Sequence, residues 1–178
     1  MAVLRIGVVS DTHGLLRPEV LDAFAGASHI LHAGDIGGVE VLRDLERIAP
    51  VTAVAGNNDG FRCGKAGITA RVELGGVRFF LTHILDRPRR PKPEVVRDLS
   101  RQPADVVVFG HSHLPHDELV DGVRYLNPAS AGPRRFSLPV SVAVLEVGRG
   151  KVRSVRFVPL DERSEAALQK HMNQLSAH

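Results

Sequence analysis

Apolar residues come along this chain in short runs separated by polar or glycine-containing breaks. Leu4–Val9, His29–Ala33, Val51–Ala55, Val77–Leu81 and Asp105–Phe109 are each five or six residues long. Runs of this length bounded by turn residues read as buried strands. Two helical patterns separate the first three. Pro18–Ala25 begins on a proline suited to a first turn and stops at Gly26. Val39–Ala49 sets Val39, Leu42, Leu45, Ile48 and Ala49 on one stripe with charges opposite, and Pro50 ends it. This β-α-β-α-β order predicts parallel strands joined by right-handed crossovers.

Beyond residue 60 the pattern changes. Ile68–Leu74 and Val77–Leu81 flank Gly75-Gly76, Glu118–Leu126 turns at Asp121-Gly122, and Val140–Val147 and Lys151–Val158 flank Gly148-Arg149-Gly150. Such pairs suit the left-handed backbone of tight hairpins. Pro93–Arg101 reads as a helix after the loop Asp86–Lys92, and Glu162–Leu175 as a polar terminal helix. A parallel first half and a hairpin-rich second half predict one α/β domain over residues 1–178. Its expected architecture is a four-layer α/β/β/α sandwich, two mixed sheets flanked by helices.

Composition narrows the class. A chain of 178 residues with 43% hydrophobic content can bury a full core. No apolar run approaches the roughly 18 residues of a membrane span. Arg5 and Asp11 break the first apolar stretch, which reads as a strand and not as a signal peptide. A cytoplasmic protein with no membrane partner is expected, and a homo-oligomer is compatible with the chain. Cys63 is the only cysteine, so an internal disulfide is excluded, and no base is tied to it by sequence. The net charge of +3 comes mostly from arginines, which grip phosphate in a bidentate fork. Aromatic residues at 4% leave few stacking platforms, so nucleic acid is not the favoured partner.

The chemistry lies where the apolar runs end. Asp11 and His13 stand two apart, a spacing that projects both side chains the same way in extended backbone. Asp35 follows Gly34; it could cap the next helix, but its two oxygens could also bridge two cations. Asn57 lies in Gly56-Asn57-Asn58-Asp59-Gly60, by composition a plain turn. Its position at a third equivalent strand end makes its carbonyl oxygen a candidate ligand. His83 ends a later strand and alone would read as structural. His111 and His113 follow Gly110 and can point into one site. Seven donors therefore gather at one sheet edge, where α/β folds build their sites. Two carboxylates, four imidazoles and an amide suffice for two divalent ions sharing a ligand. Mn is the expected metal, and the same donors admit Ni, Zn, Fe, Co or Mg.

Taken in order, Asp11/His13, Gly34-Asp35, Gly56-Asn57-Asn58-Asp59, His83 and Gly110-His111-Ser112-His113 resemble the motifs of the calcineurin-like metallophosphoesterase superfamily. The short chain and the Asn127-Pro128 segment look most like its compact bacterial and archaeal phosphodiesterase branch, to which the eukaryotic retromer subunit of this fold is related. The resemblance spans residues 3 to 160. It implies that Asp11, His13, Asp35 and His113 hold one ion, and Asp35, Asn57, His83 and His111 the other. It further implies a bridging hydroxide that attacks phosphorus, with Asp35, Asn57 and His83 as catalytic positions. The expected activity is hydrolysis of a small phosphodiester or phosphomonoester.

Three departures from the family pattern bear on this. Asn58 stands where many members carry a His that assists the leaving group, and an amide is no acid at neutral pH. Ile84 follows His83 where Gly is common, and Ala129 replaces a usual Gly. For substrate contacts the candidates are Asn58, Phe61 and the basic loop of Arg87, Arg89, Arg90 and Lys92; a solvated loop is the alternative. Arg134 and Arg135 could line the same rim, and His32 reads as a structural histidine. The rival readings are a weak or inactive scaffold of the same fold, or a nuclease.

Overall fold

The computed structural model describes residues 2–64 and 66–176, without the side chains of Phe61, Arg62 and Ser176. The expected substrate contact by the Phe61 side chain lies outside this description. Twelve strands and four α-helices are described. They run β1 (Leu4–Val9), α1 (Pro18–Ala23), β2 (His29–His32), α2 (Val39–Glu46), β3 (Val51–Ala53), β4 (Thr69–Leu74), β5 (Val77–Thr82), β6 (Asp86–Arg87) and β7 (Arg90–Pro91). Then come α3 (Pro93–Arg101), β8 (Val106–Val108), β9 (Pro115–Val120), β10 (Val123–Pro128), β11 (Ser141–Gly148), β12 (Lys151–Pro159) and α4 (Glu162–Ser176). A 3₁₀ turn covers Gly60–Cys63.

One sheet has the order β12-β11-β1-β2-β3, the other β4-β5-β8-β10-β9. In the first, β1, β2 and β3 are parallel and β11 joins β1 antiparallel. In the second, β5, β8 and β10 are parallel, with antiparallel edges. Both sheets are mixed, as expected, because each combines crossovers from one part of the chain with hairpins from another.

Strand alternation sorts the side chains into three cores. Ile6, Val8, Leu31 and Leu145 meet Phe79, Leu81, Val106 and Leu126 between the sheets. On the outer face of the first sheet, Val9, Ile30 and Val142 pack on Val20 and Phe24 of the α1 region and on Val41 and Leu45 of α2. On the outer face of the second, Phe80, Val107 and Tyr125 pack on Val95 and Leu99 of α3. These are the four layers of the α/β/β/α sandwich.

The three expected hairpins are present, each with two left-handed residues at its tip: Gly75-Gly76, Asp121-Gly122 and Arg149-Gly150. Gly148 itself pairs with Lys151, so the last turn is one residue shorter than its glycines suggested. Helix α2 stops at Glu46, and the rest of the stripe to Ala49 forms a turn in which the Ile48 and Ala49 N–H groups both donate to the Leu45 carbonyl before Pro50. The Asp86–Lys92 loop contains an unforeseen ladder, with Arg87 opposite Arg90.

His32 is fully buried, as a structural histidine would be. Its Nδ1 accepts the Gly34 N–H at 3.2 Å, and its Nε2 lies 2.9 Å from the Thr12 hydroxyl. Thr12 in turn donates to the Ile36 carbonyl at 2.9 Å. That assigns the ring a proton on Nε2 and no charge, and burial pushes its pKa down from 6.5 to about 4. Ala129 is buried at φ 71°, in the left-handed region that disfavours any Cβ.

Two stability effects follow from these residues. The unfolded chain protonates His32 below pH 6.5 while the native chain does not until about pH 4. Its contribution, on the order of 3 kcal/mol, is therefore intact above pH 6.5 and lost as pH falls through this window. In denaturant titrations across that range, His32→Asn should flatten the decline of the metal-free protein; parallel curves would contradict the assignment. Ala129→Gly should raise unfolding stability by about 0.5 kcal/mol through release of backbone strain, and a lowered midpoint would contradict it.

Candidate metal centre

The loops that leave β1 and β2 are fastened to each other by backbone hydrogen bonds. The N–H groups of Asp11, His13 and Gly14 donate to Gly34, Asp35 and Ile36 at 2.9, 2.9 and 2.7 Å. Buried Asp59 straps on the third loop, accepting from the Gly37 and Gly56 N–H groups at 2.8 and 2.7 Å. The Gly110 N–H donates to the His83 carbonyl at 3.0 Å and ties in the second sheet. Two glycines make this closeness feasible. A Cβ on Gly56 would stand 2.1 Å from Asp35 Oδ1, and one on Gly110 would stand 2.0 Å from the Ser10 hydroxyl.

Five of the expected ligands occupy left-handed backbone: Asp11 (φ 53°), His13 (48°), Asp35 (51°), His111 (68°) and His113 (57°). Asp and His tolerate this region better than most residues, but it remains strained, and such strain clusters at functional sites. The result is that the chain turns sharply at each strand end and aims the side chain inward.

The two carboxylates are held differently. Asp11 Oδ2 accepts from the Ser10 hydroxyl at 2.6 Å and the His111 N–H at 3.1 Å. Its Oδ1 is buried without a hydrogen-bond partner among the described residues. Asp35 accepts from the Asn58 N–H on Oδ1 at 2.9 Å and from the Asn58 amide on Oδ2 at 2.6 Å. Burial opposes its ionisation, yet His83 and Asn58 outweigh that effect and hold the carboxyl well below its usual range.

Around these oxygens stand the imidazoles. His113 Nε2 is 3.1 Å from Asp11 Oδ1 and 3.5 Å from His13 Nε2. His13 Nε2 is 4.0 Å from Asp11 Oδ1 and 3.8 Å from Asp35 Oδ2. His83 Nε2 is 3.4 Å from the same Asp35 oxygen and 3.9 Å from Asp11 Oδ1. Donors sharing an ion at about 2.1 Å stand about 3.0–3.4 Å apart, so these groups are close to the spacing a common cation requires. His83 donates its Nδ1 proton to the Ala33 carbonyl at 2.7 Å, leaving the Nε2 lone pair facing the carboxylates. That is how a metal-ligating histidine is held. Burial lowers the basicity of His83, but the Asp35 and Asp11 carboxylates more than reverse it, so a cation is favoured at Nε2.

The donors form two groups that could hold an ion, Asp11/His13/His113 and Asp11/Asp35/His83. Asp11 Oδ1 and His83 Nε2 are buried without a hydrogen bond among the described residues, and a metal would satisfy both, so the residues fit divalent ions. The His111 ring stands 5.3 Å from that of His83, edge-on. Asn57 is exposed beside His83 at the mouth of a cleft.

The expected substrate contacts fare unevenly. Asn58 is committed to Asp35. Arg87, Arg89 and Arg90 line a separate cleft of about 540 Å³ with Phe109 and His116, and Arg89 pairs with Glu118 at 2.7 Å. Arg134 is held by Asp161 at 2.6 Å, whereas Arg135 reaches within 3.4 Å of His13 Nε2. Ser10 and Asn127 were not foreseen as site residues. The Asn127 amide donates to the Gly110 carbonyl at 2.8 Å and the Ser112 hydroxyl at 3.2 Å, fixing the loop of His111 and His113. The Asn127-Pro128 segment was the signal that could have found it. Cys63 is buried and its thiol is pushed up to about 11, chiefly by burial and then by Asp59, which leaves no thiolate nucleophile at neutral pH.

Comparison with known proteins agrees with this geometry. A family model described as the calcineurin-like phosphoesterase superfamily domain matches residues 4–150. A probable metallophosphoesterase of Methanothermobacter thermautotrophicus is 36% identical over 152 residues, covering 83% of this chain and 88% of the relative. A phosphodiesterase of Methanocaldococcus jannaschii is 27% identical over 172 residues, covering 85% and 98%. The solved structure of zinc-complexed Vps29 from Entamoeba histolytica, 22% identical, matches with a TM-score of 0.67 over 89% of this chain and 100% of that one, a likeness of fold. The chain belongs to the calcineurin-like phosphoesterase superfamily.

Proposed function

We propose that this protein is a metal-dependent phosphodiesterase with two divalent ions sharing Asp35. The observation that carries the reading is the place of Asp35 Oδ2, 3.8 Å from His13 Nε2 on one side and 3.4 Å from His83 Nε2 on the other. Asp11, His13, Asp35 and His113 would hold one ion, and Asp35, Asn57, His83 and His111 the other. When bound, such a pair polarises phosphoryl oxygens and makes hydroxide available near neutral pH. Mn is the metal to assay first.

The chain's own residues divide the remaining work. Ser10 and the His111 N–H occupy one oxygen of Asp11 and so aim the other into the site. The Ala33 carbonyl fixes the His83 tautomer. Arg135, exposed beside His13, offers a cation to a phosphoryl group approaching from that flank. Asn58 positions Asp35 and donates no proton to a leaving oxygen. With no acid in that place, good leaving groups such as phenolates are favoured over alkoxides. A small phosphodiester is the substrate class this supports.

The metal-reconstituted protein should hydrolyse bis-p-nitrophenyl phosphate, lose the activity to a chelator and regain it with Mn. Asp35→Ala should abolish turnover. Ser10→Ala, which frees the wrong oxygen of Asp11, should reduce metal affinity or activity about 10–100-fold. Undiminished hydrolysis in Asp35→Ala, or none by the wild type with any divalent ion, would overturn the reading.

A further inference from the structure

A cleft of about 340 Å³ opens beside Asn57 and His83, whereas Arg135 stands on the His13 side of the centre. Its walls are aliphatic: Ile68 before β4, Ile84 directly after His83, and Val95 on α3. Ile68 is 81% exposed although its backbone is anchored, since Gly67 accepts the Ala55 N–H at 2.8 Å. An anchored, exposed branched side chain offers apolar surface to whatever enters. Ile84 supplies a second wall at a position where glycine would supply none. The ionic groups lining the cleft are Lys92, Glu94 and Asp98, one cation against two anions. Arg71 stands outside the lining, over the Phe80 ring and donating to the Asp98 carbonyl at 3.0 Å, where it offsets part of the acidic charge and leaves Glu94 as the principal anion.

We propose that this cleft receives one ester arm of the substrate, and that the arm is an uncharged apolar group, such as an aromatic ring, and not a second phosphate or carboxylate. The inference rests on the phosphoryl group sitting at the metal centre, as argued above. A cavity of this volume, apolar with a few polar groups, has the form of a small-molecule subsite. Covering its aliphatic walls with a ring removes apolar surface from water. Glu94 and Asp98 oppose an anionic arm, an effect that salt weakens. Specificity therefore comes from the arm, while the metal centre takes the phosphoryl group common to all phosphoesters.

Direct calorimetric binding of three phosphonates to the Mn-loaded protein tests this without requiring turnover. Phenylphosphonate should bind about tenfold tighter than methylphosphonate, and 4-carboxyphenylphosphonate about tenfold weaker than phenylphosphonate. Ile68→Ser should shrink the first ratio, and Glu94→Lys should shrink the second to about twofold or less. Both side chains are exposed, so neither change removes core packing. Equal affinities for the phenyl and methyl compounds, or a carboxylate penalty untouched by Glu94→Lys, would overturn the cleft assignment and leave the phosphodiesterase reading standing. Failure of methylphosphonate itself to bind, with no hydrolysis of bis-p-nitrophenyl phosphate, would overturn both.

Discussion

Two carboxylates, Asp11 and Asp35, are buried side by side, and most of the local architecture answers to that constraint. Ligand atoms of the two lie within 4.8 Å of each other and of His83. Like charges at such a distance repel by about 3 kcal/mol in the effective dielectric of a protein interior, besides the cost of leaving water. Hydrogen bonds offset part of this. Ser10 and His111 serve one oxygen of Asp11, and Asn58 serves both of Asp35. His83 and Asn58 together hold the Asp35 carboxyl well below its usual range without neutralising it. Cations are what remains to balance the site, and the imidazoles around it have lone pairs available for the same ions.

The fold supports this concentration of charge by bringing strand ends from two sheets to one edge. Apolar packing between the sheets fixes β1 and β2 relative to β5 and β8, so the loops that follow need no further adjustment to meet. Sharp left-handed turns at five candidate ligands then point the donors inward. The strain is tolerated because the connecting hydrogen bonds and the close glycines leave the backbone little alternative. The flanks of the centre differ in character, with Arg135 on one side and an aliphatic cleft with an acidic lining on the other. A phosphodiester with one apolar arm matches that asymmetry.

The order of strands and helices could be read from hydrophobic period and turn chemistry, because each strand is short, apolar and bounded by glycine or proline. The recurrence of polar residues after those strands is enough to bring Asp11, His13, Asp35, His83, His111 and His113 to one sheet edge. Less local features escaped. Helix α2 gives way to a turn around the Leu45 carbonyl before the apolar stripe ends, and the ladder of Arg87 with Arg90 lies in a stretch without apolar alternation. The Arg87–Arg90 loop was expected at the rim because it follows His83 in sequence, but Arg89 is drawn to Glu118 on β9, a partner that only tertiary pairing supplies. Arg134 and Arg135 are neighbours in sequence yet have opposite roles, one tied to Asp161 and one beside His13. Ala129 takes the place of a usual glycine, and its left-handed backbone gives that replacement a physical cost.

The central claim is that Asp35 is shared between two cations. Anomalous diffraction from crystals grown with Mn measures this directly. The account predicts two peaks about 3.5–4 Å apart, with the Asp35 carboxylate bridging them, His13 and His113 at one, and His83 and His111 at the other. A single peak, or two peaks that do not share Asp35, would contradict it.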